Sequence, residues 1–232
     1  MPMLSRATLI PVLLLWAASA LTQPQASAPA TAEPRLFELP VAVAQGRRLI
    51  AFEFPVAGSK YHITRTGLGN RSAGAAPPQS FNLHLSRGDL IRTLYYAEYQ
   101  GDALLLLEVS NGAYGAGFLV RIGGALPDIK WKQALPGFNV GRGLIEGDFA
   151  YVTAMRFVAR VDLRSGSYAW RHQGQEHPGA FAAFDAPRLE GSSVLFPAYR
   201  AAGGRASTVT VDKRTGRILS PRSFAQSEKE TH

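Results

Sequence analysis

The feature that most constrains this chain is a strand–turn–strand unit that occurs twice near its C-terminal end. Val161-Asp162-Leu163-Arg164-Ser165-Gly166-Ser167-Tyr168-Ala169-Trp170 aligns without gaps on Val211-Asp212-Lys213-Arg214-Thr215-Gly216-Arg217-Ile218-Leu219-Ser220. Val, Asp, Arg and Gly are identical, and Ser165 answers Thr215. The polar turn ends on Gly because a backbone with positive φ penalises any Cβ. Upstream, Leu144-Ile145-Glu146-Gly147-Asp148 before Phe149–Val152 matches Arg188-Leu189-Glu190-Gly191-Ser192 before Val194–Phe196. Each unit therefore reads strand, Gly turn, strand, link, strand, Gly turn, strand.

The layout recurs earlier with less identity. Gln100-Gly101-Asp102 precedes Ala103–Val109, and Phe118–Ile122 leads to Asp128-Ile129-Lys130-Trp131. A first unit begins at Gln45-Gly46-Arg47, with Leu49–Phe54 as its second strand and a second hairpin over Phe81–Leu94 turning at Arg87-Gly88. The turn glycines Gly46, Gly101, Gly147 and Gly191 are 55, 46 and 44 residues apart. Four such meanders predict an all-β fold, a small β-propeller with blades over about 36–95, 96–135, 138–175 and 182–223. A β-sandwich or barrel is the alternative. Because open terminal blades leave strand edges unpaired, four blades either close on themselves in a monomer or form a half-ring completed by a homodimer.

These residues carry a resemblance. Ala150-Tyr151-Val152, then Ala159–Asp162 through Gly166 to Trp170, is similar to the quinoprotein-type (PQQ-like) propeller repeat. Val209–Gly216 is a second match, and Trp131 stands at the Trp position of the preceding unit. The resemblance implies structural roles: Trp131 and Trp170 packing between blades, and Asp162, Gly166, Asp212 and Gly216 capping hairpins. Catalytic members of that family have more blades, a paired-cysteine site and calcium-binding carboxylates. This chain has no Cys, so no cofactor is carried over. The resemblance points to the non-catalytic members, such as the propeller lipoprotein that assists outer-membrane assembly.

The N-terminus addresses compartment. Arg6 precedes the apolar run Ala7–Leu21, and Ala18-Ser19-Ala20 offers a small-residue cleavage site, so residues 1–20 read as a secretory signal peptide. The run is shorter than the roughly 20 residues that span a bilayer and contains Pro11. The chain is thus expected not to be integral to the membrane. Residues 21–34 are a flexible Pro/Ala-rich tether, repeats fill 35–225, and 226–232 is a disordered tail. Export predicts a secreted, periplasmic protein. Lys and Arg number 25 against 17 Asp and Glu, a formal charge of +8, which suits an envelope protein or another acidic surface as partner. The basic residues are scattered, so nucleic acid is not expected.

No catalytic set is legible. His172, Glu176 and His177 are weak metal candidates in a link, short of a fourth ligand. Tyr61, His62, Arg65 and Arg71 fall in the longest link, Pro55–Ser80, and would form a binding loop for an anionic partner. Glu146, Asp148, Asp162 and Asp185 are the carboxylates an acid–base mechanism would draw on. Tyr95, Tyr96, Tyr99, Tyr114, Phe138, Phe157 and Arg156 are of the types that dominate interfaces. The expected function is a non-catalytic binding module for another envelope protein. A hydrolase or lyase acting on an anionic glycan, and a periplasmic immunity-type inhibitor, are the alternatives.

Overall fold

The computed structural model describes residues 33–45, 48–56, 59–64, 67–71, 79–81, 90–110, 114–123, 128–174, 183–199 and 207–220. Within these, side chains are described for 33–41, 90–110, 114–123, 128–174, 183–198 and 208–219. The signal segment, the C-terminal tail, Arg65, Glu176 and His177 lie outside the described residues.

Every regular element among the described residues is a strand. In chain order these are β1 (Arg35–Leu36), β2 (Val41–Gln45), β3 (Arg48–Val56), β4 (Ser59–Thr64), β5 (Gly67–Arg71) and β6 (Gln79–Phe81). Then come β7 (Leu90–Tyr99), β8 (Asp102–Ser110), β9 (Gly115–Ile122), β10 (Ile129–Leu135), β11 (Leu144–Glu146), β12 (Phe149–Ala154), β13 (Phe157–Asp162) and β14 (Tyr168–Gln173). The last are β15 (Ala183–Phe184), β16 (Arg188–Glu190), β17 (Ser193–Tyr199), β18 (Ser207–Asp212) and β19 (Ile218–Ser220). They form four antiparallel sheets: β2–β6, β7–β10, β11–β14 with β1 on its edge, and β17–β19 with β15 and β16 along one edge. None closes into a barrel. No helix among the described residues is long and apolar enough to cross a membrane.

Two boundaries differ from the sequence reading. Leu90–Leu94, expected within the first unit's second hairpin, belongs to β7, which pairs with Asp102–Ser110 and opens the second sheet. The turn of the expected Phe81–Leu94 hairpin, at Arg87-Gly88, lies outside the described residues, and Gln79–Phe81 pairs with β5. Residues 55–80, expected to be a loop, contribute the hairpin of β4 and β5, with Tyr61 and His62 on one strand and Arg71 ending the other. Ser59–Thr64 alternates well enough for a strand, but Gly67 and Gly69 in its partner mask the pattern, since glycine carries no side chain to read.

The second, third and fourth sheets stack because their central strands are apolar on both sides. In β8, Leu104 and Leu106 enter one core with Val152, Phe157, Ala159 and Val161 of the third sheet. Ala103, Leu105, Leu107 and Val109 enter another on the opposite face. Alternation sends successive residues to opposite faces, so a strand buried on both reads as an unbroken apolar run. A third core joins Tyr151, Val158 and Trp170 to Val194, Phe196, Val209 and Val211 of the last sheet.

A repeated clamp fastens the second sheet to the third and the third to the fourth. From β9, Arg121 donates to the Leu163 carbonyl at 2.9 Å, and Trp131 Nε1 from β10 donates to the same oxygen at 3.2 Å. One sheet on, Arg160 and Trp170 donate to the Lys213 carbonyl at 3.0 and 2.9 Å. The receiving turn is built the same way both times. Asp162 Oδ1 accepts from the Arg164 and Ser165 amides, and Asp212 Oδ1 accepts from the Thr215 amide and hydroxyl. The Thr215 hydrogen bonds hold the Asp212 carboxyl below its usual pKa. In the last sheet the aligned positions are Thr210 and Ser220, and the Arg–Trp pair does not recur.

The segment before β2 straps two sheets together. Arg35–Leu36 pairs with β11, Phe37 is fully buried, and Glu38 exchanges backbone hydrogen bonds with Tyr96 at 2.7 and 2.9 Å. The Tyr96 hydroxyl donates to Glu38 Oε2 at 2.7 Å. Burial first, then that carboxylate, pushes the Tyr96 pKa up from 10.0 to about 12. A phenol whose folded pKa is raised stabilises the fold below its ordinary value and loses that contribution as pH rises through the folded one. Denaturant midpoints should therefore fall between about pH 10 and pH 12, and Tyr96→Phe should reduce the fall. An unchanged alkaline profile in the variant would contradict the strap's role.

Candidate functional site

Strands of the second and fourth sheets and the link into the third converge on one cleft of about 390 Å³. Thr93 and Tyr95 come from β7, Glu108 from β8, Asn139–Arg142 from the link into β11, and Ala183–Ala186 from β15 and its continuation. The link can run this close because Gly141 has no side chain: a Cβ there would stand 2.7 Å from the Phe184 carbonyl oxygen and closer still to the Thr153 hydroxyl. Asn139 turns the link with φ of 55°, a conformation that Asn tolerates better than most residues.

Two opposite charges are anchored in the cleft by backbone. Glu108 Oε2 accepts a hydrogen bond from the Val140 amide at 3.2 Å. Arg142 Nε donates to the Phe37 carbonyl. Neither forms an ion pair among the described residues, and each is half-buried. Tyr95 lies between their influences: burial raises its pKa, the Arg142 charge opposes that, and the Glu108 charge adds to it. Val140, Phe184 and Ala186 supply an apolar wall, and Asp185 a further carboxylate.

Two aromatics at this end of the second sheet are exposed, Tyr114 at 79% and Phe138 at 42%. Phe138 lies against Gly115, next in sequence to Tyr114, where an added Cβ would meet the Phe138 Cβ at 2.7 Å. Phe138 also precedes Asn139, so the pair and the cleft share one end of the second sheet. Of the other aromatics of interface type, Tyr96, Tyr99 and Phe157 are buried.

The carboxylates nominated from sequence are mostly engaged elsewhere. Glu146 accepts from Tyr151 at 2.8 Å and pairs with Lys213 at 2.7 Å. Asp148 accepts from Tyr99 at 2.6 Å and pairs with Arg164. Asp162 and Asp212 cap their turns. His172 Nε2 is 2.6 Å from the Gly216 carbonyl, which ties it to the clamp, whereas Glu176 and His177 fall outside the described residues. No cluster of three metal-ligating side chains occurs among the described residues. The side chains of Tyr61, His62 and Arg71 are likewise not described. Glu108 and Arg142 were missed by sequence reasoning, although signals exist. Glu108 is the one charge in the run Ala103–Val109, and Arg142 sits between Gly141 and Gly143.

No protein-family model matches the chain, and no curated protein matches it. Among solved structures it is similar to apo AztD from Citrobacter koseri, with TM-score 0.41 and 10% identity over 74% of this chain and 46% of that one. It is also similar to Hsv2p from Kluyveromyces lactis, with TM-score 0.22 and 5% identity over 75% of each chain. The chain thus spans under half the length of the AztD chain it matches.

Proposed function

We propose that this protein is a secreted, periplasmic, non-catalytic propeller-type module that binds another envelope protein. The contact is made by the end that carries the cleft, Tyr114 and Phe138. The observation that supports this most is that exposed aromatic pair, sharing an end of the second sheet with a cleft whose Glu108 and Arg142 lack ion-pair partners among the described residues. Aromatic residues and Arg dominate binding energetics when a partner covers them. The formal charge of +8 favours an acidic partner and a salt-sensitive on-rate.

The test is capture from an envelope extract of the source organism, with the chain from Leu21 onward as bait, at low and high salt. One stoichiometric partner is expected, with recovery falling at high salt. The double variant Tyr114→Ser/Phe138→Ser should lose at least tenfold in affinity for that partner with its thermal midpoint unchanged. Full retention by the variant would place the contact elsewhere. A second reading, a hydrolase or lyase acting on an anionic glycan, draws on Glu108 and Asp185 sharing the cleft. Turnover of such a glycan that Glu108→Gln abolishes would favour it.

A further inference from the structure

The chemistry of the cleft defines its occupant more narrowly than the binding reading on which this inference rests. A half-buried carboxylate and a half-buried guanidinium share one cavity, yet they do not neutralise each other. Each is held by a backbone group instead: Glu108 through Oε2 by the Val140 amide, Arg142 through Nε by the Phe37 carbonyl. These anchors use one polar atom of each side chain. Glu108 Oε1 and the terminal Nη groups of Arg142 have no hydrogen-bond partner among the described residues. Partly desolvated charges without partners are costly, and anchored, unspent ones are what a preorganised ionic site requires.

We propose that the cleft binds a small zwitterion, a molecule carrying both an ammonium and a carboxylate on an apolar body. The ammonium is received by Glu108, with Asp185 on the same wall. The carboxylate is received by the Arg142 fork, which suits planar anions. Val140, Phe184 and Ala186 cover the apolar body, and Tyr95, half-buried in the same lining, offers its hydroxyl to the ligand. A free amino acid and a short peptide both carry this chemistry, and the volume of about 390 Å³ lies within the range of small-molecule sites.

Calorimetric titration of the full chain with leucine, leucyl-leucine, N-acetyl-leucine and leucine amide tests this directly. Leucine or leucyl-leucine is expected to bind, the tighter of the two identifying the source, and each singly charged analogue to bind at least tenfold more weakly. Glu108→Gln should weaken the zwitterion and the amide but spare N-acetyl-leucine. Arg142→Gln should weaken the zwitterion and N-acetyl-leucine but spare the amide. Equal binding of the capped analogues, or no binding of any of the four, overturns the proposal. The unmodified chain alone decides this, even if a variant folds poorly. A chain that still captures its partner through Tyr114 and Phe138 while binding no zwitterion would overturn this inference and leave the binding module standing.

Discussion

Replacing Trp170 with alanine should lower folding stability by about 3–5 kcal/mol, the range for removing a large aromatic from a core. Trp170 is 9% exposed, and its ring packs against Tyr151 of its own sheet and Phe196 of the next, with centroids 6.2 and 6.3 Å away. Its indole N–H also reaches the Lys213 carbonyl. The loss therefore falls on the interface between the third and fourth sheets. Trp170→Phe separates the two contributions: it keeps most of the packing and gives up the hydrogen bond, at about 1 kcal/mol. Trp131→Ala should cost less, because Trp131 is only half-buried. Urea midpoints at constant m-value check the series. A Trp170→Ala variant as stable as the parent would mean that the sheets are not held by this clamp.

The second large effect is expected at the glycines beneath the tryptophans. Gly216 has φ of 75°, and a Cβ there would lie 2.7 Å from the Trp170 Cβ and Cγ. Gly166 has φ of 77° and the same relation to the Trp131 ring. Alanine at either position meets left-handed strain of about 1–2 kcal/mol and an overpacking cost of about 1–3 kcal/mol. A loss of about 2–5 kcal/mol should follow. Gly147 and Gly191 give the control. Their φ values of 56° and 55° are equally left-handed, but nothing lies within 4 Å of an added Cβ. Alanine there should cost only the strain, about 1–2 kcal/mol. Equal losses at Gly191 and Gly216 would show that Trp170 does not press on the turn.

The contrast between these glycines explains what was legible in the sequence. Gly166 and Gly216 sit at matching places in units that share their Val, Asp, Arg and Gly, because one local geometry is used twice to receive an Arg and a Trp. A repeated contact leaves a repeated sequence. The four-sheet all-β architecture followed from that periodicity. The first sheet was harder, since Gly67 and Gly69 interrupt the alternation of β5. The strap at Arg35–Glu38 was invisible because two residues of pairing are too few to show any period. The cleft was hidden for a different reason. Glu108, Arg142 and Asp185 come from different parts of the chain and meet only through packing, and no spacing rule connects them. Only their incongruity in place, a charge within an apolar strand and an Arg between two glycines, marks them at all.

The central claim is that one end of the stacked sheets binds while the clamp turns at Gly166 and Gly216 serve only the scaffold. Amide hydrogen exchange of the chain, free and with its captured partner, tests it most directly. The account predicts new protection over Tyr114–Ala116 and Phe138–Arg142, with the turns at Leu163–Gly166 and Lys213–Gly216 unchanged. Protection confined to those turns, with none around Phe138, would contradict it.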